Sequence, residues 1–253
     1  MPDNRTIYDE VYHPGLLDHG GLARYDHRSV EARAHLLKRY AAGDVLDLCC
    51  GSGSYLPYLP DHLPRVVGLD FSTTMLRELV ARAERGELRS DGVVLAEAGR
   101  QPFPDDAFDT IFSFASLVYL ADIDQVVAEI ARLLRPGGHA ILEFGNVRSL
   151  NDRIARAQHV EASWAASYHL PISEIRRLSS SIGRIVEWRR SQIVPLYGTT
   201  RRLRYLYPLV HPAWKRPMSV RVKGRTVDEW LSSLPLARQV AGRHLVVIER
   251  PPA

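Results

Sequence analysis

Seven short apolar runs, separated by amphipathic stretches, limit the folds open to this 253-residue chain. Residues 44–48 (DVLDL), 65–69 (RVVGL), 92–96 (GVVLA), 108–114 (FDTIFSF), 139–144 (HAILEF), 184–193 (RIVEWRRSQI) and 244–249 (HLVVIE) are rich in Val, Ile, Leu or Phe and bounded by Gly, Pro or Asp. Near-continuous runs of this length suit strands covered on both faces, as in a parallel sheet. Between them lie helical patterns at 28–40, 72–85, 122–134 and 172–181, with Ser72 and Asp122 placed to cap their helices. The RPGG stretch at 135–138 stops the third of these helices. Strand–helix alternation at this spacing predicts a doubly wound α/β sheet with helices on both faces.

The most informative turn follows the first strand, in the stretch VLDLCCGSGSYL from Val45 to Leu56. Asp47 ends the strand, Gly51-Ser52-Gly53 makes the turn, and a helix is expected to begin near Ser54. Ligands of open α/β sheets sit at the carboxyl ends of the strands where strand order reverses. Glycines there admit close approach of the backbone, and a helix N-terminus offers N–H groups to a negative group. A bare G-x-G is weak on its own. It gains weight from Asp70 at the end of the second strand, where a carboxylate can accept from both hydroxyls of a ribose. The chain's two cysteines, Cys49 and Cys50, stand side by side in this turn. They have no C-x-x-C partner, so neither a disulfide framework nor a metal site is expected of them.

Four stretches stand in order along roughly residues 40–146: VLDLCCGSGSYLPYL, VVGLDFSTTMLREL, AEAGRQPFPDDAFDTIFSFASLVYL and LLRPGGHAILEF. In order and spacing they resemble the successive motifs of class I S-adenosylmethionine-dependent methyltransferases, with most likeness to the ubiquinone/menaquinone-type and small-molecule group. The fuller G-x-G-x-x-G of dinucleotide dehydrogenases is absent, since position 56 is Leu56. The resemblance implies a Rossmann-like seven-stranded sheet, mostly parallel with an antiparallel last strand, in a single domain over 1–253. Within it, 1–40 would be an N-terminal helical cap, 41–146 the cofactor-binding core and 188–240 an insertion over the acceptor.

The same resemblance implies roles for individual residues. Asp47, Gly51 and Gly53 would hold the methionine part of S-adenosylmethionine, with Cys49 touching that end through a backbone of negative φ. Asp70 would bind the ribose, and Phe71 and Met75 the adenine. Glu97 would accept from the adenine amino group in place of the family's usual Asp, with the Ala98 N–H serving a ring nitrogen. Ser113 and Phe114 would line the methionine side, and Tyr8 would reach the cofactor carboxylate from the N-terminal helix. Gln101-Pro102-Phe103 replaces the usual Leu-Pro-Phe, read as a packing difference. Transfer would leave S-adenosylhomocysteine. A hydroxyl or acidic carbon as acceptor needs a base, for which His13, His169 and His211 are the candidates among ten histidines.

Charge is concentrated in one place. From Trp188 to Val227 the chain carries ten basic residues and no Asp or Glu, while the whole has 33 basic and 29 acidic residues, so the formal charge of +4 comes from this segment. Arg matches phosphates and carboxylates, and Tyr197, Tyr205, Tyr207 and Trp214 add flat surfaces. The segment is therefore expected to recognise a small or carrier-linked acceptor with an anionic group. Tyr119, Tyr197, Arg201, Arg204 and Trp214 are named for that contact. A solvated basic face is the plain alternative. RNA is the rival partner, disfavoured because no RNA-binding module accompanies the charge. A cofactor-binding protein that does not transfer methyl is the other alternative. With 45% hydrophobic and 25% charged residues, no apolar run long enough to span a bilayer and no basic-then-apolar start, the chain reads as cytoplasmic.

Overall fold

The computed structural model describes residues 20–150, 152–153, 168–193 and 215–252. Its centre is a seven-stranded sheet in the order β3-β2-β1-β4-β5-β9-β6. The strands are β1 (Asp44–Leu48), β2 (Arg65–Asp70), β3 (Gly92–Leu95), β4 (Phe108–Ser113), β5 (Leu134–Gly145), β6 (Arg184–Ser191) and β9 (Arg243–Glu249). β1 pairs in parallel with β2 and β4, whereas β9 runs antiparallel between β5 and β6. Strand order reverses at β1, as the sequence predicts, and the glycine turn lies at that switch point. A short hairpin, β7 (Arg221–Val222) with β8 (Arg225–Thr226), stands apart from the sheet.

Side-chain alternation divides the core into two layers. Leu46, Leu48, Val67, Leu69, Leu142, Val246 and Ile248 face one way. There they meet α3 (Ile123–Leu133), through Val126, Val127 and Ile130, and α4 (Ile172–Ile182), through Ile175 and Leu178. Val45, Val66, Ile141, Leu245 and Val247 face the other way, toward α1 (Gly20–Tyr40), through Leu36 and Leu37, and α2 (Thr73–Glu84), through Leu76 and Leu79. Burying each such leucine contributes about 2 kcal/mol. The predicted caps form: Ser72 Oγ accepts from Met75 N–H, and the Asp122 carboxylate from Gln125 N–H. α3 stops at Leu133 and RPGG becomes the opening of β5, with Gly137 at φ +79°.

One predicted element is corrected. No α-helix follows the glycine turn; residues 51–55 continue as turns into a single 3-10 turn over Leu56–Tyr58. Pro57 and Pro60 both lack an N–H, so the segment has too few donors to propagate an α-helix. The helix N-terminus expected to face a ligand at this point is therefore absent.

Candidate active site

Polar side chains break the apolar alternation at the carboxyl ends of adjacent strands. On the face toward α1, Val45 is followed two residues on by Asp47 in β1, and Ile141 by Glu143 in β5. Asp47 lies beside Gly68 of β2 and Phe112 of β4 in the sheet register. Asp70, on the same face as Gly68, accepts from Gly51 N–H at 2.8 Å and from Ser72 N–H at 2.9 Å. That carboxylate ties the glycine turn to the end of β2. Gly51, at φ +53°, would point a Cβ into open space, so its face of the turn is clear for a ligand. Gly53, at φ +75°, differs: a Cβ there would come within 3.0–3.1 Å of Leu88, Leu56 and Leu79, so the turn needs a glycine to seat against α2.

Asp47 is the least satisfied group of the set. It is buried, and its Oδ2 has no hydrogen-bond partner among the described residues. Burial, reinforced by the nearby Asp70, pushes its pKa well above the ordinary carboxylate range. An unpaired buried carboxylate is costly, and a cation set against it removes the cost. S-adenosylmethionine carries two cationic groups and a ribose, and this edge offers an unpaired carboxylate, a second carboxylate and a clear glycine backbone. The residues present fit the cofactor.

The neighbouring residues divide between turn and wall. Cys49 has φ +59°, so the negative φ expected for it is corrected: the chain places a residue with a Cβ in the left-handed region that suits glycine. Burial, then Asp70 and Asp47, raise the pKa of its thiol well above the usual thiol range. Cys50 is buried behind the turn, where a Cβ on Gly68 would come 2.9 Å from its sulfur. Ser113 Oγ donates to the Leu48 carbonyl at 2.8 Å and shares a 2.7 Å bond with Ser116 Oγ, joining the ends of β4 and β1. Phe114 stacks edge-on with Tyr55, ring centroids 5.1 Å apart. Phe71 is half-buried, whereas Met75, in the first turn of α2, is fully buried. Glu97 is exposed and Ala98 buried, and the Arg100 N–H donates to the Glu97 carbonyl at 3.0 Å. Gln101 does more than fill space: its side-chain amide donates to the Ala98 carbonyl at 2.9 Å, and its N–H to Glu129 at 3.0 Å.

A buried ion network lies under the same edge. Arg33 of α1 meets Glu143 with two bonds of 2.7 Å, and it also donates to Tyr55 Oη of the glycine turn. Glu143 accepts from the Ala115 N–H at 3.2 Å, and Arg243 stands 3.5 Å away. Burial opposes ionisation of Glu143, but Arg33 and Arg243 outweigh it and hold its pKa below the ordinary range. The sequence signal was a single carboxylate inside an apolar run, HAILEF, and it went unread.

Residues 46–142 match the family model described as a methyltransferase domain. Over this segment the chain carries a methyltransferase domain. The chain is 34% identical over 143 residues to methyltransferase GfsG of Streptomyces halstedii, which covers 54% of this chain and 50% of that protein. It is 31% identical over 106 residues to the demethylmenaquinone methyltransferase of Listeria welshimeri, covering 41% and 45%. The chain thus spans about half the length of the curated relatives it matches. The PH0226 protein of Pyrococcus horikoshii shares the fold, with a TM-score of 0.60 at 19% identity over 97% of this chain and 95% of that one.

Beyond the methyltransferase domain's central strands, His169 Nδ1 stands 2.9 Å from an Asp152 carboxylate oxygen. Tyr119 is half-buried in the 3-10 turn after β4. Tyr8, His13, Tyr197, Tyr205, Tyr207, Arg201, Arg202, Arg204, His211 and Trp214 lie outside the described residues. Four other basic residues of the 188–227 segment are engaged within the chain. Arg189 is buried between Glu187 (2.6 Å) and Glu229 (3.5 Å), Arg190 lies over the Trp188 ring, Arg221 pairs with Glu31, and Arg225 approaches Glu187. The acids that serve them lie just outside the segment or on α1, so its lack of Asp and Glu overstated its open charge. Among the described residues no helix is long and apolar enough to cross a membrane.

Proposed function

We propose that the chain transfers a methyl group from S-adenosylmethionine to an O, N or C atom of a small or carrier-linked metabolite, acting in the cytoplasm and releasing S-adenosylhomocysteine. The observation that carries this reading is the unpaired, buried Asp47 beside the clear face of Gly51, at the strand-order switch of a methyltransferase domain. When bound, the cofactor supplies a methyl carbon made electrophilic by its positive sulfur.

The chain's own residues bind, orient and exclude water. Asp47 receives the cationic methionine end, with Cys49, Gly51, Gly53, Ser113, Phe114 and Tyr8 around it. Asp70 accepts from the ribose hydroxyls while still holding the turn through Gly51 N–H. Phe71, Met75, Glu97 and Ala98 surround the adenine. Tyr119, Tyr197, Arg201, Arg204 and Trp214 face the acceptor, the two arginines serving any anionic group it carries. Holding acceptor and methyl in line, away from water, supplies several kcal/mol of the barrier reduction. One of His13, His169 and His211 removes the acceptor proton where the acceptor has one.

The test offers purified protein and methyl-labelled S-adenosylmethionine to cell extract separated into RNA, lipid and small-molecule pools. Label in the small-molecule pool is expected. Label in RNA would overturn the acceptor class, and no label despite intact S-adenosylhomocysteine binding would favour the non-methylating reading.

A further inference from the structure

Arg190, near the end of β6, differs from Arg189, Arg221 and Arg225: among the described residues no acid meets it. In sheet register it lies beside His244 of β9, which lies beside Phe144 of β5, on the face toward α3 and α4. Its guanidinium carbon stands 4.7 Å from the centre of the Trp188 ring, and that of Arg176 on α4 stands 5.1 Å from the same centre. Arg190 Nε is buried and has no hydrogen-bond partner among the described residues. A ring face attracts the charge but leaves an in-plane N–H unfilled. A third arginine, Arg238, comes from the 3-10 turn Ala237–Gln239 that precedes β9. Asn146, just after β5, holds that turn, its side-chain amide donating to the Gln239 and Ala241 carbonyls at 2.9 and 3.0 Å. Burial, then Arg238 and Arg176, pull the Arg190 pKa below the ordinary guanidinium value.

Trp188 is itself fixed, because its indole N–H donates to His244 Nδ1 at 3.0 Å. His244 adds no charge at neutral pH, since burial and then Arg190 lower its pKa to about 3. Arg176 and Arg238 are exposed, and neither has an ion pair among the described residues. A half-buried guanidinium beside two like charges is stabilised by an anion, and its planar donors match the oxygens of a phosphate two at a time. Three positive charges favour a doubly charged phosphate over a singly charged carboxylate. We propose that Arg176, Arg190 and Arg238 bind a phosphate monoester group at the carboxyl end of β6. From β1 to β6 the sheet order counts four strand spacings of about 4.8 Å, about 19 Å in all. Asp47 faces the other side of the sheet. The phosphate therefore sits apart from the acids of the glycine turn, and its binding does not depend on methyl transfer.

The test is thermal melting in inorganic phosphate, against sodium chloride and sodium acetate of equal ionic strength. A dissociation constant of about 1 mM, met by phosphate at about 10 mM, should raise the wild-type melting temperature by about 2–4 °C over chloride. Acetate should give less than about half that rise. Phosphate also stabilises proteins by general exclusion from their surface, so the rise that counts is the part lost in Arg190→Met. Arg238 is exposed, so Arg238→Gln leaves the packing intact and should weaken phosphate by about threefold or more in calorimetric titration. S-adenosylhomocysteine affinity should stay within about twofold in both variants, because the cofactor edge is distant. Should Arg190→Met fail to bind S-adenosylhomocysteine, Arg238→Gln decides alone. No phosphate-dependent rise in the wild type, the full rise in a folded Arg190→Met, an unchanged constant for Arg238→Gln, or an equal rise in acetate overturns the proposal. Loss of S-adenosylhomocysteine binding by the wild type would strike the methyl-transfer reading and leave this site standing.

Discussion

Asp47 and Cys49, two residues apart, are each held in a condition that a smaller sequence change would relieve. Asp47 has a raised pKa in the folded chain because burial and Asp70 disfavour its charge. A carboxyl raised in this way favours folding below its unfolded pKa of about 4, and loses that contribution as pH rises through the folded value. At neutral pH Asp47 is therefore a liability without a cation. Asp47→Asn should raise the melting temperature at pH 7 by a few degrees, narrow the advantage toward pH 4, and weaken S-adenosylhomocysteine binding at least tenfold. Thermal melts across pH and calorimetric titration read both halves. Cys49, at φ +59°, carries strain on the order of 1–2 kcal/mol. Cys49→Gly relieves it against a smaller entropic cost in the unfolded chain, so urea unfolding should show a gain of up to about 1 kcal/mol. The sequence pattern located both residues but not these conditions: backbone sign and hydrogen-bond satisfaction are set by how β1, β2 and the turn fit together.

At the scale of elements, α1 is joined to the carboxyl end of β5 by charge as well as by Leu36 and Leu37. Glu143→Ala would leave Arg33 and Arg243 facing each other in the interior, a loss on the order of 3–5 kcal/mol. Hydrogen exchange should then show α1 opening well before the central strands, and the Ala115 turn should lose protection with it. Equal protection of α1 in the variant would mean that apolar packing alone holds the helix. The strands and the four long helices were legible because each carries a strong period and a clear stop. The 3-10 turn at Leu56–Tyr58 was not, because Pro57 and Pro60 override a strand–turn–helix expectation drawn from the glycines. Glu143 was missed, and Gln101 read only as packing, for a related reason: Arg33 and Arg243, and Glu129 for Gln101, come from other elements. His169 was one of three equivalent histidines in sequence; it stands 2.9 Å from Asp152, while His13 and His211 lie outside the described residues.

Across the whole molecule, the sheet presents one edge where acids on β1 and β2 meet a clear glycine turn. Asp70 is its best-founded residue, since it both shapes the turn and offers its carboxylate. The measurement that tests it most directly is calorimetric titration of the wild type and Asp70→Ala with S-adenosylhomocysteine. A ribose held by Asp70 predicts binding by the wild type and at least a tenfold weaker constant for the variant, the size of a lost charged hydrogen-bond pair. Equal affinity of the two proteins would contradict the assignment of the cofactor to this edge.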